Sequence, residues 1–168
     1  PGTDADDWVI NNYVDLQPGT GKRDYTGAVD GAAKTYDGHR GIDIDVPNFR
    51  WMDDGFPVIA AAPGVVTRVV DTNFDRNTSC AGSWNVVEVR HDNGFLAKYG
   101  HLAQGSAAVA VGDTVQSGDV LGVVGSSGCS TAPHLHFEMR DCDGVVVDPF
   151  LEGMWTAPPV YATPIGFM

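Results

Sequence analysis

The sequence is short of positive charge and has no long apolar run. It holds 10 lysine and arginine residues against 22 aspartate and glutamate residues, so its formal net charge at pH 7 is −12. Phosphate groups would repel such a chain, and this charge argues against nucleic acid and anionic membrane surfaces as partners. No stretch approaches the roughly 20 apolar residues that a transmembrane helix needs, so we expect no membrane insertion.

The chain also lacks the features of a secretory signal peptide. It opens Pro1-Gly2-Thr3, without a charged start followed by an apolar core, so we expect a mature chain that was processed or trimmed. Its 168 residues are enough for a sizeable core. We expect a monomer with one domain over residues 1–168, made of a core at about 36–150, an N-terminal extension at 1–35 and an extended tail at 151–168.

Cysteine is scarce, and no C-x-x-C pair occurs, so zinc binding by cysteine is not expected. The three cysteines are Cys80, Cys129 and Cys142, an odd number that leaves at least one thiol outside any bridge within the chain. We favour a Cys80–Cys129 bridge that joins two loops at one end of a sheet. The alternatives are a Cys129–Cys142 bridge and three buried free thiols. A bridge would favour an oxidising compartment.

Long stretches with a 3.6-residue period are missing as well, which argues against a helical fold. The 21 glycines and 10 prolines suit short strands joined by tight turns. We predict an all-β protein with an antiparallel sheet and loops that form a groove above it. The predicted strands lie at residues 59–62, 65–70, 85–91, 95–99, 134–140 and 145–147.

Three shorter predictions concern loops and aromatic residues. The Asn93-Gly94 pair predicts a type I′ hairpin turn, because asparagine and glycine tolerate positive φ. Residues 49–54 are interpreted as a loop near the functional site. For Trp51, Trp84 and Tyr99, packing in the core is the better expectation than lining a groove.

Histidine is the informative residue type. Four of the five histidines lie in three short motifs, which are His39-x-x-x-Asp43, Tyr99-Gly-His101 and His134-Leu-His136. Together with Asp43 they are the right inventory for one zinc ion and a pair of catalytic imidazoles. The fifth, His91, lies beside the predicted hairpin turn, and we expect it to be exposed and inert.

The spacing of His134 and His136 fits a strand. Residues two apart on a strand point to the same face, about 7 Å from each other, so one imidazole can bind a metal while the other reaches a group beside it. Leu135 and Phe137 would then point the opposite way, into a core.

His39 and Asp43 are too far apart on a straight strand to share one ion, about 13 Å. Gly38 and Gly41 argue against a helix there, so we predict a bent extended segment with the bend at Gly41. Two histidines and one carboxylate leave the fourth position of a tetrahedral zinc open, as in catalytic sites.

Glu138 and Asp45 are candidates for orienting the ligands from behind. Each lies two residues beyond a candidate ligand, on the same predicted face. A solvated surface carboxylate is the alternative for both.

These motifs, in this order, resemble those of the M23 family of zinc metallopeptidases, the lysostaphin-type or LytM-type peptidoglycan endopeptidases. The similarity also includes residues 60–66, 111–122, 125–128 and 147–149, and it spans about residues 36–150. The resemblance implies a lysostaphin-like fold of barrel-sandwich type. It implies His39, Asp43 and His136 as zinc ligands, and His101 and His134 as the unligated catalytic pair.

The resemblance also implies a function. We expect a secreted or periplasmic zinc metalloendopeptidase that hydrolyses peptide bonds in peptidoglycan stem or cross-bridge peptides. Because no H-E-x-x-H motif supplies a glutamate base, the two unligated histidines would handle the proton. The alternatives are an inactive M23-like module that binds the wall or activates an amidase, and a secreted endopeptidase that acts on glycine-rich proteins.

Overall fold

The computed structural model describes residues 7–159 of the chain. Within that range it contains twelve strands, one 3-10 helix and one short α-helix. The elements are β1 (Val9–Asn12), the 3-10 helix (Asp30–Ala32), β2 (Ile42–Asp45), α1 (Phe49–Asp53), β3 (Pro57–Ile59), β4 (Gly64–Val70), β5 (Ser79–Cys80), β6 (Val86–His91), β7 (Leu96–Gly100), β8 (Thr114–Val115), β9 (Val120–Val123), β10 (Cys129–Ser130), β11 (His134–Arg140) and β12 (Val146–Val147).

The strands form one large sheet and two small ribbons. The eight-stranded sheet has the order β1-β2-β11-β7-β6-β4-β8, with β12 also paired to β11, and the ribbons are β5–β10 and β3–β9. Every pair of these strands is antiparallel. The predicted all-β antiparallel fold is therefore confirmed, although the sheet of the described residues does not close into a barrel. No helix within residues 7–159 has the length and apolar character needed to span a bilayer.

The alternation of β11 explains why the sheet has one apolar and one polar face. Leu135, Phe137 and Met139 contribute to the main hydrophobic core, which also holds the inward residues of β4, β6 and β7. His134, His136 and Glu138 alternate with them, as expected for a period of two. The predicted direction of Leu135 and Phe137 is confirmed. The polar face of β11 is thus free to carry the functional groups.

The N-terminal segment packs into a second apolar cluster instead of hanging off the domain. Ile10, Tyr13, Val14 and Ile42 are buried there, against the partly buried Phe150 and other aromatic residues. Through this cluster β1 is held at the edge of the large sheet, antiparallel to β2. Part of the predicted extension is therefore an integral strand. The predicted tail is described only as far as residue 159, and residues 160–168 lie outside the described range.

The predicted hairpin forms, but with a different turn. The amide of Gly94 donates to the carbonyl of His91 at 2.9 Å, and only Gly94 of the turn residues has positive φ, at 89°. A type I′ turn would need positive φ at two successive residues, so that prediction is wrong. The side chain of Asn93 instead accepts a hydrogen bond from the amide of Phe95 at 3.2 Å. This local bond holds the loop without the unusual asparagine conformation.

Two segments differ from the predicted elements. Of residues 49–54, Phe49–Asp53 form α1, a single helical turn capped by Asn48, whose side chain accepts from the amides of Arg50 and Trp51. The strand predicted at residues 59–62 ends at Ile59. Beyond it, the amide of Ala61 donates to the hydroxyl of Tyr99, at 2.9 Å, instead of to another strand. The strands predicted at 65–70, 85–91, 95–99, 134–140 and 145–147 are confirmed to within one residue.

A disulfide links the two strands of the small β5–β10 ribbon. It joins Cys80 to Cys129, which confirms the favoured pairing, and it leaves Cys142 as an exposed free thiol. The bridge ties the loop between β4 and β6 to the loop that leads into β11. Both loops contribute to the site described next.

Candidate metal centre

His39 is presented by a tight turn immediately before β2. The amide of His39 donates to the carbonyl of Tyr36 at 3.1 Å, and Gly38 occupies the third position of this turn with φ of 76°. His39 is buried, with 3% of the residue exposed. Its Nδ1 lies 2.7 Å from the backbone carbonyl of Tyr13. Since a carbonyl can only accept, Nδ1 carries the proton and the lone pair of Nε2 is left for the site.

Asp43 and His136 are brought together by strand register. They face each other directly in the antiparallel β2–β11 pair, although 93 residues separate them in sequence. The backbone bends at Gly41, as predicted, and a Cβ added there would lie 2.7 Å from Cε1 and Nε2 of His136. Gly41 lies at the bend before β2, and its missing side chain leaves room for the imidazole of His136 and the carbonyl of Phe137.

Three potential ligand atoms meet at one point. Nε2 of His39 lies 3.1 Å from Oδ1 of Asp43 and 3.2 Å from Nδ1 of His136. Oδ1 of Asp43 and Nδ1 of His136 are 2.9 Å apart. Bonds of about 2.0–2.1 Å in a tetrahedral zinc site would place neighbouring ligand atoms roughly 3.3 Å from each other. The donor set and its spacing therefore fit a zinc ion.

Each of these three side chains has a partner on its far side. The carbonyl of Tyr13 holds His39, and Nδ2 of Asn12 donates to Oδ2 of Asp43 at 3.1 Å. Nε2 of His136 faces Oε2 of Glu138 at 3.7 Å. Such partners fix the orientation and the tautomer of metal ligands. The interpretation of Glu138 as a group behind His136 agrees with this geometry.

Glu138 is a buried carboxylate with cations on its other oxygen. Nζ of Lys98, directly opposite on β7, lies 3.0 Å from Oε1, and Nε of Arg140 contacts the same oxygen. Burial opposes ionisation, but the bonds to His136, Lys98 and Arg140 outweigh it and lower the pKa of Glu138 to about 2. Glu138 is only 4% exposed, so the alternative of a solvated surface carboxylate is wrong.

His101 and His134 stand beside the three-residue cluster with their rings 4.5 Å apart between centroids. Nδ1 of His101 lies 2.6 Å from the carbonyl of Ser127, and Nδ1 of His134 lies 2.8 Å from that of Ala132. Each Nδ1 therefore donates to a backbone carbonyl, so that each Nε2 is left with a free lone pair. Nε2 of His134 is 3.7 Å from Oδ1 of Asp43.

His101 has an uncommon backbone conformation. It follows β7 directly and has φ of 62°, in the left-handed region that non-glycine residues seldom occupy. Such strain costs about 1–3 kcal/mol and persists only where surrounding contacts hold the residue in place. Here the bond to Ser127 and the edge contact with Trp84, at 5.3 Å between ring centroids, provide them.

Burial and neighbouring charges separate the protonation states of the histidines. Burial, together with the charge of His134, lowers the pKa of His101 to about 3, and burial also lowers the pKa of His134. The pKa of His136 is raised to about 9, because its contacts with Asp43 and Glu138 outweigh its burial. The close contacts of Asp43 with His136 and His39 likewise outweigh burial and lower the pKa of Asp43. At neutral pH, His101 and His134 are thus neutral and able to accept a proton.

An open cleft of about 720 Å³ leads to these residues. Trp84 forms one wall, and its ring lies 5.7 Å from that of His136. A Cβ on Gly100 would lie 2.4 Å from this indole, so glycine at the end of β7 makes room for it. Tyr36, which is 51% exposed, stacks on His39 at 4.2 Å on the other side. Trp84 therefore lines the groove, contrary to the expectation of core packing.

The remaining aromatic and acidic predictions had mixed outcomes. Tyr99 is buried in the main core and Trp51 packs against it, as expected. His91 is buried at 4% exposure, with Nδ1 3.0 Å from the carbonyl of Pro63, so the expectation of an exposed residue is wrong. Its strand position on β6 places it inside. Asp45 bonds to Asn11 and not to a ligand imidazole, and burial and Asp43 raise its pKa to about 7.

The sequence predictions did not include Asn12, Tyr13 and Tyr36. Asn12 contacts the cluster through its side-chain amide and Tyr13 through its backbone carbonyl, and neither kind of contact leaves a recognisable sequence pattern. Both residues also lie before the region that contains the motifs. Tyr36 lies three residues before His39, and its position in the turn could have indicated a contact with the site.

The open antiparallel sheet, with a His/Asp/His cluster on its polar face, has the fold of a lysostaphin-type domain. The chain belongs to peptidase family M23, whose profile matches residues 37–149. In three dimensions it is similar to the catalytic domain of the antimicrobial peptidase lysostaphin from Staphylococcus simulans. The TM-score is 0.53 and the identity 25%, over 84% of this chain and 87% of that one.

Two curated relatives illustrate the range of the family. DD-carboxypeptidase/endopeptidase Mpg of Neisseria meningitidis is 40% identical over 111 residues, which cover 66% of this chain and 22% of Mpg. Glycyl-glycine endopeptidase ALE-1 of Staphylococcus capitis is 33% identical over 129 residues, which cover 77% of this chain and 30% of ALE-1. The chain thus spans less than a third of the length of these relatives.

We predict that Gly41→Ala distorts the cluster. The added methyl group would overlap His136 and the carbonyl of Phe137, at a cost of about 1–3 kcal/mol in the free energy of unfolding. Urea denaturation of the metal-free protein and titration with a divalent cation measure stability and binding. Gly31→Ala, which has open space around its Cβ, is the control and should leave both unchanged. Wild-type behaviour of Gly41→Ala would contradict the close approach.

We also predict an inverted order of stability at position 101. His101→Ala and His101→Gly remove the same imidazole, but only alanine keeps a Cβ at positive φ, so the glycine variant should be more stable by about 1 kcal/mol. Thermal unfolding of the two variants checks this. At the exposed strand residue Arg90, the same pair should show the usual order, with alanine the more stable. The usual order at position 101 would show that its backbone is unstrained.

A third prediction concerns the titration of the metal-free protein. The imidazole of His136 should titrate with a midpoint of about 9, so that it is protonated below that pH, whereas His101 stays neutral through the neutral range. Histidine NMR signals followed against pH measure both. Glu138→Gln should shift the His136 midpoint downwards, since it removes a negative charge next to the ring. An unshifted midpoint near 6.5 for wild-type His136 would contradict the assignment.

Proposed function

We propose that this chain is a secreted or periplasmic zinc metalloendopeptidase that hydrolyses peptide bonds in the stem or cross-bridge peptides of peptidoglycan. In this proposal His39, Asp43 and His136 bind the zinc, and His101 and His134 are catalytic. The observation that carries it is the convergence of three donor atoms within 3.2 Å of one another, beside two neutral imidazoles.

The three donors suit zinc for chemical reasons. Two imidazole nitrogens and one carboxylate oxygen are common zinc ligands, and three protein ligands leave a position for water or substrate. His39 offers Nε2 and His136 offers Nδ1, and in each ring the other nitrogen faces an acceptor. A zinc ion bound there would polarise the scissile carbonyl and lower the pKa of a water molecule.

The proton transfers fall to His101 and His134. Both rings are fixed through Nδ1 to backbone carbonyls and present an unprotonated Nε2. One histidine can accept the proton of the attacking water. The other, once it has itself been protonated, can donate that proton to the leaving amine. The two are equivalent in tautomer and in the direction of their pKa shifts, so we assign the roles to the pair.

The proposed substrate follows from the cleft and from the relatives. The cleft is open at the surface and walled by Trp84 and Tyr36, which suits a thin, extended peptide. The relatives described above are named for the cleavage of DD and glycyl-glycine bonds, and we extend peptide hydrolysis of this kind to the chain. Secretion fits the Cys80–Cys129 bridge, which needs an oxidising compartment to persist.

Retention of all five residues argues against the inactive alternative. A module that only binds the wall would not need two neutral imidazoles held by their Nδ1 atoms beside three metal donors. We therefore favour an active enzyme over a binding or activating module. Cleavage of glycine-rich proteins remains a substrate alternative that the following experiment decides.

We predict that the zinc-loaded protein solubilises purified sacculi and that a chelator abolishes this activity. His136→Ala should lose both the bound zinc and at least about 99% of the activity, because it removes one of three donors. Mass spectrometry of the fragments identifies the bond cleaved in sacculi with direct cross-links, in sacculi with glycine bridges, and in elastin as a glycine-rich protein.

The matched control for His136→Ala is His91→Gln, which removes the histidine that lies outside the cluster. It should keep its zinc and its specific activity per folded molecule. Full activity of His136→Ala, or chelator-resistant hydrolysis by the wild type, would overturn the proposed function. If elastin is cleaved and the sacculi are not, the substrate is a glycine-rich protein and not peptidoglycan.

A further inference from the structure

The two oxygens of the Asp43 carboxylate have different surroundings. Oδ1 points at the cluster, 3.1 Å from Nε2 of His39 and 2.9 Å from Nδ1 of His136. Oδ2 accepts a hydrogen bond from Nδ2 of Asn12 at 3.1 Å. Asp43 is 4% exposed, so bulk water does not compete for these oxygens. One oxygen thus faces the ligand atoms and the other is bound to an amide.

Asn12 is placed for this contact by the edge strand β1. It faces Asp43 in the β1–β2 pair, after an irregularity in register between Ile10 and Asn12. The following residue, Tyr13, supplies the carbonyl that holds His39. Two successive residues therefore contact two of the proposed ligands. Both lie outside the family-matching region, which begins at residue 37.

The hydrogen bond from Asn12 affects whether the Asp43 carboxylate would bind a metal through one oxygen or through both. A carboxylate has lone pairs on both oxygens and can bind a metal through one or through both. With both oxygens bound, Asp43 would take up the position that water and substrate need. An amide donor on Oδ2 opposes such binding, because it occupies one lone pair of that oxygen, draws electron density from it and holds the carboxylate in its present orientation inside a buried site.

We propose that Asn12 is a positioning residue that keeps Asp43 bound through Oδ1 alone and thereby keeps the fourth position of the metal open. The inference rests on the proposed zinc chemistry. It goes beyond it by assigning a functional role to the N-terminal strand. It also separates metal binding from activity, since loss of Asn12 leaves all three donors in place.

The test compares Asn12→Ala with Asn11→Ala. Asn11 is the adjacent residue and bonds to Asp45, which is not one of the proposed ligands. For Asn12→Ala we expect zinc affinity, measured by competition with a chromophoric chelator, to stay within about threefold of wild type. Hydrolysis of sacculi should fall about 10–100-fold. Asn11→Ala should match wild type in both.

Cobalt substitution gives a readout that does not depend on activity. The visible absorption of cobalt weakens as its coordination number rises, so the cobalt form of Asn12→Ala should absorb less strongly than that of wild type. Asn12→Leu, which keeps most of the volume of asparagine but lacks the donor, should behave in the same way. It serves as the second variant if the alanine protein folds poorly, and thermal unfolding of the metal-free proteins identifies that case.

Each other outcome overturns the inference. Wild-type activity and absorption in both Asn12 variants would show that the hydrogen bond does not control the carboxylate. A fall in zinc affinity as large as the fall in activity would show a merely structural role. A wild-type chain that binds neither zinc nor cobalt would overturn the proposed function together with this inference, whereas an active, zinc-loaded wild type with unaltered Asn12 variants overturns the inference alone.

Discussion

The alignment of β2 with β11 is the constraint on which the site depends. It places Asp43 directly across from His136, and His134 across from Asp45. Because successive side chains on a strand point to opposite faces, a slip of one residue would turn Asp43 or His136 into the apolar core. Such a slip is unfavourable, because it would also move Leu135 and Phe137 out of the hydrophobic core and onto the polar face. Hydrophobic packing on one face thus fixes the chemistry on the other.

Close packing around the imidazoles adds the finer positioning. Gly41 and Gly100 sit where any larger residue would meet His136 or Trp84. Backbone carbonyls hold Nδ1 of His39, His101 and His134. Carbonyls cannot change their charge or rotate freely, so they select one tautomer of each ring more firmly than a side chain would. The polar face therefore presents several nitrogen lone pairs in a fixed arrangement.

Much of this site could be predicted from the sequence, and what could not has identifiable reasons. The period of two in β11 predicts that His134, His136 and Glu138 share one face of the sheet, because alternation is a local property of a strand. The grouping of His39 with Asp43 needed only the bend at Gly41. The pairing of β2 with β11 rests on contacts between distant segments, and it was accessible only through the resemblance of the motifs.

The errors arose where tertiary contacts override local signals. His91 lies beside a turn, which suggests exposure, yet it is the last residue of β6 and points inward. Trp84 is apolar enough for a core, but its indole packs against Gly100 at the wall of the cleft, where the missing side chain leaves room for it. For Asn12 the sequence carries no signal, since its partner depends on the irregular pairing of β1. The roles of the five site residues remain predictions that the proposed experiments address.

The Cys80–Cys129 bridge has a consequence for how the site could be assembled. The three donor atoms belong to the turn before β2, to β2 and to β11, whereas the bridge fastens the loops that carry Trp84 and the carbonyl partners of His101 and His134. A chain with reduced thiols would keep its donors on the sheet but lose the covalent tie between those loops. Under the proposed function, binding of the ion and positioning of His101 and His134 would therefore be separable events, and the redox state of the surroundings would bear mainly on the second.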